Sequence, residues 1–149
     1  MNYTLKPVAT DADWQALHAL RRATLFAPGR HPGIVYNDNH PDDHALHHVP
    51  YLLVADGACI GMVRVDFRGE TAVVRLVAIT PNLQRQGHGS VLDRLVVETA
   101  RARGVRMLVV NSAPYAVGFY EKLGWHRHVW DAEELAGIAV DCVQMRKAL

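Results

Sequence analysis

Polar and apolar residues alternate in "YTLKPVA", residues 3–9, which predicts a strand, and from residue 10 the period lengthens. In "TDADWQALHALRRATLF", residues 10–26, Trp14, Leu17, Leu20 and Leu25 recur with neighbouring alanines at helical spacing. Thr10 or Asp11 stands where an N-cap belongs. Residues 28–50, "PGRHPGIVYNDNHPDDHALHHVP", are dense in Pro, Gly, Asn, Asp and His, which predicts a functional loop with room for one short helix over 41–48.

Three strand-like runs follow closely, "YLLVAD", "CIGMVRVDF" and "TAVVRLVAI". Asp56-Gly57 separates the first two and Arg68-Gly69-Glu70 the last two, so an antiparallel meander is predicted. After Pro81, "GSVLDRLVVETARARG" puts Val91, Leu92, Leu95, Val96 and Thr99 along one helix side, with Arg101 and Arg103 suiting its C-terminal dipole and Gly104 its C′ position. "VRMLVVN" reads as a buried strand, residues 114–123 as a helix stopped by Gly124, and "WHRHVW" and "AVDCVQMRKA" as two last strands able to pair as a hairpin. The order βα, meander, αβαββ predicts an α/β chain: a mixed, mostly antiparallel sheet of six to seven strands with helices on both faces.

Composition narrows the classes. The chain has 149 residues, half of them apolar, and a formal net charge of +1, as expected of one folded domain spanning 1–149 with no electrostatic case for nucleic acid. The N-terminal segment is charged where a signal peptide is apolar, and no run has the length of a membrane span, so a cytoplasmic location without membrane attachment is expected. Cys59 and Cys142 fall in apolar segments and are expected to be reduced.

Candidate chemistry centres on "LQRQGHGS", residues 83–90, a junction between strand and helix. A helix N-terminus leaves about four N–H groups unpaired and carries partial positive charge, so a glycine-rich entry suits an anionic ligand. Neither the Walker loop nor the dinucleotide fingerprint fits this spacing. "RLVAITPNLQRQGHGSVLDRLV" instead resembles motif A of the GNAT superfamily of acyl-CoA-dependent N-acetyltransferases, with Gln84, Gly87 and Gly89 filling its Q/R-x-x-G-x-G/A pattern, and "VVNSAPYAVGFYEKLGWHRH" resembles the family's motif B.

The resemblance implies a sheet splayed between its fourth and fifth strands, with acetyl-CoA as co-substrate. It places the pyrophosphate on backbone N–H groups of Arg85, Gln86, Gly87, His88, Gly89 and Ser90 flanked by Gln84, and the pantetheine arm along Val77, Ala78 and Ile79, with Asn111 and Phe119 nearby. It implies two catalytic groups: the Val77 N–H as oxyanion donor, and Tyr120 as the tyrosine beside the coenzyme sulfur. From the residues alone, Tyr120 suits a core position as well as a catalytic one, and Asn111 a capping role as well as a cofactor contact.

One departure stands out. Where many members carry a Glu or His base on the fourth strand, this chain has Val73 and Arg75, so Glu70 and Asp66 are base candidates by proximity only. Arg75 either binds a substrate carboxylate or pairs with Asp66 or Glu70. Asp42 and Asp43 are candidates to attract a cationic amine, and His44, in the cluster His40, His44, His47 and His48, borders the implied acceptor pocket; these histidines are expected to be solvated loop residues, with no metal site.

The expected function is acetyl transfer to a primary amine of a small, amino acid-like or amine metabolite by direct attack in a ternary complex. The rival is an acyl-CoA-binding sensor or interaction module that performs no transfer, and a metal protein built on the histidines is a third reading. Open edges in the last strands leave room for a homodimer.

Overall fold

A computed structural model describes residues 1–149. The chain runs β1 (Tyr3–Pro7), α1 (Asp11–Ala23), β2 (His48–Ala55), β3 (Ala58–Arg68), β4 (Thr71–Ile79), α2 (His88–Ala102), β5 (Met107–Ser112), α3 (Val117–Lys122), β6 (His126–Arg127) and β7 (Val143–Ala148). The strands form one sheet in the order β1-β2-β3-β4-β5-β7-β6. Only β4 and β5 pair in parallel, because α2 carries the chain back across one face between them.

Local chemistry sets the element ends. Thr10 Oγ1 accepts the Asp13 N–H at 3.1 Å while Asp13 Oδ2 accepts the Thr10 N–H at 3.2 Å, a reciprocal capping box that starts α1. Gly104, at φ +82°, ends α2: its N–H reaches the Arg101 carbonyl and that of Val105 the Ala100 carbonyl. Gly124 ends α3 in the same way.

Period-2 alternation sorts each strand between two apolar layers. Tyr51, Leu53, Val63, Val65, Val74, Leu108 and Val110 pack with Leu92, Val96 and Ala100 of α2. On the other face Leu52, Met62 and Ala78 meet Leu17 and Leu20 of α1.

Two elements depart from the sequence reading. The segment 41–48 is not a helix: a 3-10 turn covers only Pro41–Asp43, His47 takes φ +68°, and the Phe67 N–H holds the His47 carbonyl at 2.9 Å, drawing the chain into β2. β2 therefore includes Pro50, whose carbonyl accepts the Val8 N–H beyond the end of β1, where the missing proline N–H deprives no ladder. Also, β6 is only a two-residue strand, and the connection to β7 spans 128–142 with 3-10 turns at Ala132–Glu134 and Gly137–Ala139.

Candidate active site

The cleft begins where two strands stop pairing. β4 and β5 are bonded from Thr71↔Met107 to Val74↔Val110 and no further. Just past that point β4 bulges: Arg64 pairs with Arg75 and Met62 with Ala78, so Leu76 and Val77 together face the single residue Val63. Leu76 takes φ +54°, a conformation unusual for a residue with a Cβ. The extra residue releases the backbone around Val77 from regular pairing with β3, at the mouth of the gap.

α2 points its N-terminus at the same gap. Its N-cap is Gly87, at φ +88°, which offers no side chain to the helix, and the first turn closes with Val91 N–H on the Gly87 carbonyl at 3.3 Å. The N–H groups of residues 88–90 thus lack intrahelical acceptors. Gln84 and Gln86 brace the preceding turn, donating to the carbonyls of Ile79 at 3.0 Å and Asn82 at 3.3 Å. Arg85 is exposed at φ +61°.

The two glycines serve different ends. Nothing lies near a Cβ at Gly87, so its positive φ is the requirement there, whereas a Cβ on Gly89 would stand 3.1 Å from the Phe119 ring. His88 contributes only backbone to the gap, since its side chain is buried and its Nδ1 hydrogen-bonds the Tyr3 hydroxyl at 2.9 Å. Ser90 is exposed on the first turn.

Tyr120 closes the cleft from α3. Val63, Val74, Val77, Gly89, Phe119 and Tyr120 line one pocket, and the Tyr120 ring sits edge-on to both Phe119 and Trp125. Burial, with lesser contributions from Asp93 and Tyr115, pushes the Tyr120 hydroxyl far above its ordinary value of 10, so it keeps its proton.

Across the sheet, on the face away from α2, charges alternate in a ladder. Arg21 of α1 grips Asp43 through two hydrogen bonds of 2.8 and 3.0 Å, and Arg64 reaches the same carboxylate at 3.2 Å. Arg64 also holds Asp66, which accepts Arg75 Nε at 2.8 Å. Arg75 then binds Glu134 with both terminal nitrogens, at 2.8 and 3.0 Å, and Asn111 Nδ2 donates to Glu134 at 3.1 Å. Glu134 thereby ties β4 to β5 across the split, one residue beyond the last paired position on each strand. Burial pulls the Glu134 carboxyl up, and the hydrogen bonds and charge of Arg75, with Asn111 and Arg68, together more than offset it, leaving the group below its ordinary 4.5.

These placements sort the remaining candidates. Arg75 pairs with Asp66 as one reading had it, though not with Glu70, which is exposed at the turn before β4. Asp66 is buried and fully engaged. Asp43 is enclosed by two arginines, so of the acidic pair only Asp42 faces solvent. Asn111 points away from the α2 side, held by Glu134 and by Gln144 Nε2 at 3.0 Å. His44 is exposed and packs on Trp14, while His48 Nε2 lies 3.5 Å from Asp66. Glu134 escaped the sequence reading, because it lies on an irregular connection 59 residues from Arg75 and no local pattern marks it.

A second cavity, of about 320 Å³, opens on this same face, with Val73 and Val109 among its walls beside Trp130, Arg68 and Arg146.

Fold, cleft and glycine turn together define an acyl-CoA-binding type of domain, and the comparisons agree. A family model described as an acetyltransferase (GNAT) domain matches residues 42–149; the chain belongs to this family of acyl-CoA-dependent acyltransferases. A curated relative, the uncharacterized N-acetyltransferase CgeE of Bacillus subtilis strain 168, is 34% identical over 70 residues, 46% of this chain, and the match spans only 27% of that protein's length. The acetyltransferase of the GNAT family from Staphylococcus aureus Mu50 superposes with a TM-score of 0.78 at 11% identity, covering 99% of both chains. The PaiA N-acetyltransferase of Thermoplasma acidophilum, solved in complex with coenzyme A, superposes at 0.70 with 13% identity over the whole of both chains. No helix of the molecule is long and apolar enough to cross a membrane.

Proposed function

We propose that this chain transfers an acetyl group from acetyl-CoA to a primary amine of a small molecule, by direct attack of the amine in a ternary complex. One observation carries the reading: Val77 of the β4 bulge, Gly89 at the start of α2 and the Tyr120 side chain line the same cleft. The residues fit the co-substrate, since a glycine N-cap leaves helix N–H groups free for phosphate and the bulge leaves β4 backbone free for an amide-bearing arm. Bound acetyl-CoA supplies the thioester whose C–S bond breaks as the C–N bond forms.

The chain's own groups do the rest. The Val77 N–H donates to the oxyanion that develops on the acetyl carbonyl, an interaction of the kind worth about 2.7 to 4 kcal/mol. Tyr120 gives its proton to the departing sulfur, and the proton shed by the attacking nitrogen as it becomes an amide restores the phenol. On reference values, transfer from a phenol near 10 to a thiolate near 8.5 runs uphill by about 2 kcal/mol. The apolar walls that raise Tyr120 also raise the proton affinity of a thiolate released among them, so the two shifts offset each other. β4 supplies no free base, as Val73 is apolar and Arg75 is tied to Asp66 and Glu134, so the acceptor reacts as its neutral amine.

That same lack of a free base favours the rival, a binding module. Tyr120→Phe separates the two. For an enzyme, turnover of an amine panel followed by thiol release drops about 100-fold or more while acetyl-CoA affinity measured by calorimetry stays within about threefold. Equal turnover in variant and wild type rejects the role given to Tyr120, and tight acetyl-CoA binding without thiol release from any amine supports the module.

A further inference from the structure

The cavity of about 320 Å³ on the face away from α2 has room for a small organic molecule, at the lower end of ligand pockets. Part of its lining is apolar. Val73 and Val109 are register partners one step before the strands separate, and Trp130 stands beside them with its indole N–H on the Val110 carbonyl at 3.0 Å. Where relatives are expected to carry a base on β4, this chain offers a surface for a hydrocarbon chain.

Its charged groups are unbalanced. Arg146 projects from β7 next to Val109 and makes no ion pair or side-chain hydrogen bond. Arg68 reaches only Glu134, at 3.6 Å, and both oxygens of that carboxylate are already taken by Arg75. Against these two cations the wall sets one carboxylate, Asp131, which caps its own turn by accepting the Glu133 N–H at 3.1 Å. A monoanion restores neutrality; a phosphate, with roughly −1.5 to −2 charge, overshoots.

We infer that this cavity is the acceptor pocket and that it selects amines bearing a carboxylate, held by Arg146 and Arg68. The inference deepens the acetyltransferase reading and rests on it. Distance refines the class. Val73 and Val77 are about 13 Å apart along β4 at about 3.3 Å per residue, and the Arg75–Glu134 pair stands between them, so a molecule held by Arg146 and Arg68 must pass over that pair to reach Val77. The acid and the reacting amine are therefore separated by several carbons, as in an ω-amino acid, and not by one carbon, as in an α-amino acid.

The test compares 6-aminohexanoate, hexylamine and glycine as acceptors for the full chain with saturating acetyl-CoA. Binding of the product, 6-acetamidohexanoate, is measured separately by calorimetry in the presence of CoA. The expected KM for 6-aminohexanoate is at least about tenfold below those of hexylamine and glycine, the size of one charge-assisted hydrogen bond. Arg146→Gln brings the first two KM values to within about twofold, with kcat for 6-aminohexanoate changed less than about threefold, and weakens product binding about tenfold or more. Arg146 is exposed and bonds to no other side chain, so this variant keeps the fold; Arg68→Gln gives an independent second reading.

Equal KM values for 6-aminohexanoate and hexylamine in wild type, or product binding unmoved by Arg146→Gln, overturn the inference. The two proposals fail separately. Arg146-dependent product binding without thiol release from any amine leaves the pocket standing and removes the transferase; turnover of hexylamine without product binding does the reverse.

Discussion

Tyr120 and Val77 show how differently single residues reveal themselves. Tyr120 lies in a sequence pattern that can be matched position by position, yet its proton affinity comes from burial among Trp125, Phe119 and the cleft valines, which no local pattern specifies. Because its folded value is raised above its unfolded value of 10, the neutral form is favoured by the fold; stability is fully present below pH 10 and is lost as pH climbs beyond it. Ultraviolet titration should show Tyr120→Phe lacking a tyrosinate signal that in wild type appears only well above pH 10, with unfolding. A signal lost from the ordinary pH 10 step would contradict the burial argument. With Tyr120 still protonated, kcat/KM should rise about tenfold per pH unit below the acceptor's pKa as the neutral amine becomes available, and a flat profile from pH 7 to 9 would demand a base on the protein. Val77 is the opposite case, since the role we propose for it lies in its backbone. Valine is as ordinary a strand residue as any, and only the bulge at Leu76 makes its N–H special.

Elements with a clear period were legible. α1 and α2 declare themselves through apolar spacing, caps and terminal glycines, and the meander through its turn dipeptides. The segment 41–48 was misleading because its composition tolerates a helix while the His47 carbonyl is claimed by β3 from 20 residues away. The contact between α2 and α3 supplies an element-scale prediction. Gly89→Ala should stabilise α2 as a helix by roughly 0.5 to 1 kcal/mol, yet its Cβ, 3.1 Å from the Phe119 ring, makes that ring, part of the cleft wall, give way. Acetyl-CoA affinity should fall several-fold while melting temperature holds or rises. Unchanged affinity would show that the Phe119 position is irrelevant to binding. The sequence reading gave both glycines one purpose, phosphate approach; the fold assigns Gly87 to backbone conformation and Gly89 to helix packing as well.

At the scale of the molecule, the ladder from Arg21 through Asp43, Arg64, Asp66 and Arg75 to Glu134 joins α1, the meander and the β6–β7 connection. Asp43→Ala strands Arg21 in the interior and leaves Arg64 with Asp66 alone, and breaking such a buried pair costs about 3 to 5 kcal/mol, which denaturant melts would register as a matching drop in stability. A loss under about 1 kcal/mol would mean that water reaches the arginines. The ladder also fixes the acid response. Burial pushes Asp43 up, but Arg21 and Arg64 more than reverse it, holding Asp43 below its unfolded 3.8. Its contribution is therefore complete above pH 4 and disappears as pH falls further, and the same sign applies to Glu134 below 4.5.

Sequence by itself determined what depends on near neighbours: the helices and their caps, the meander, the glycine entry to α2 and the two motifs by which the family is recognised. Their information is local because helical period, turn chemistry and capping act over a few residues. Tertiary structure alone decided which charges meet. Arg75, Asp66, Asn111 and Glu134 come from three strands and a loop, and Arg146 is left without a partner because those carboxylates are spent elsewhere. A buried charge must be matched wherever the fold brings an opposite charge, and that matching has no spacing along the chain.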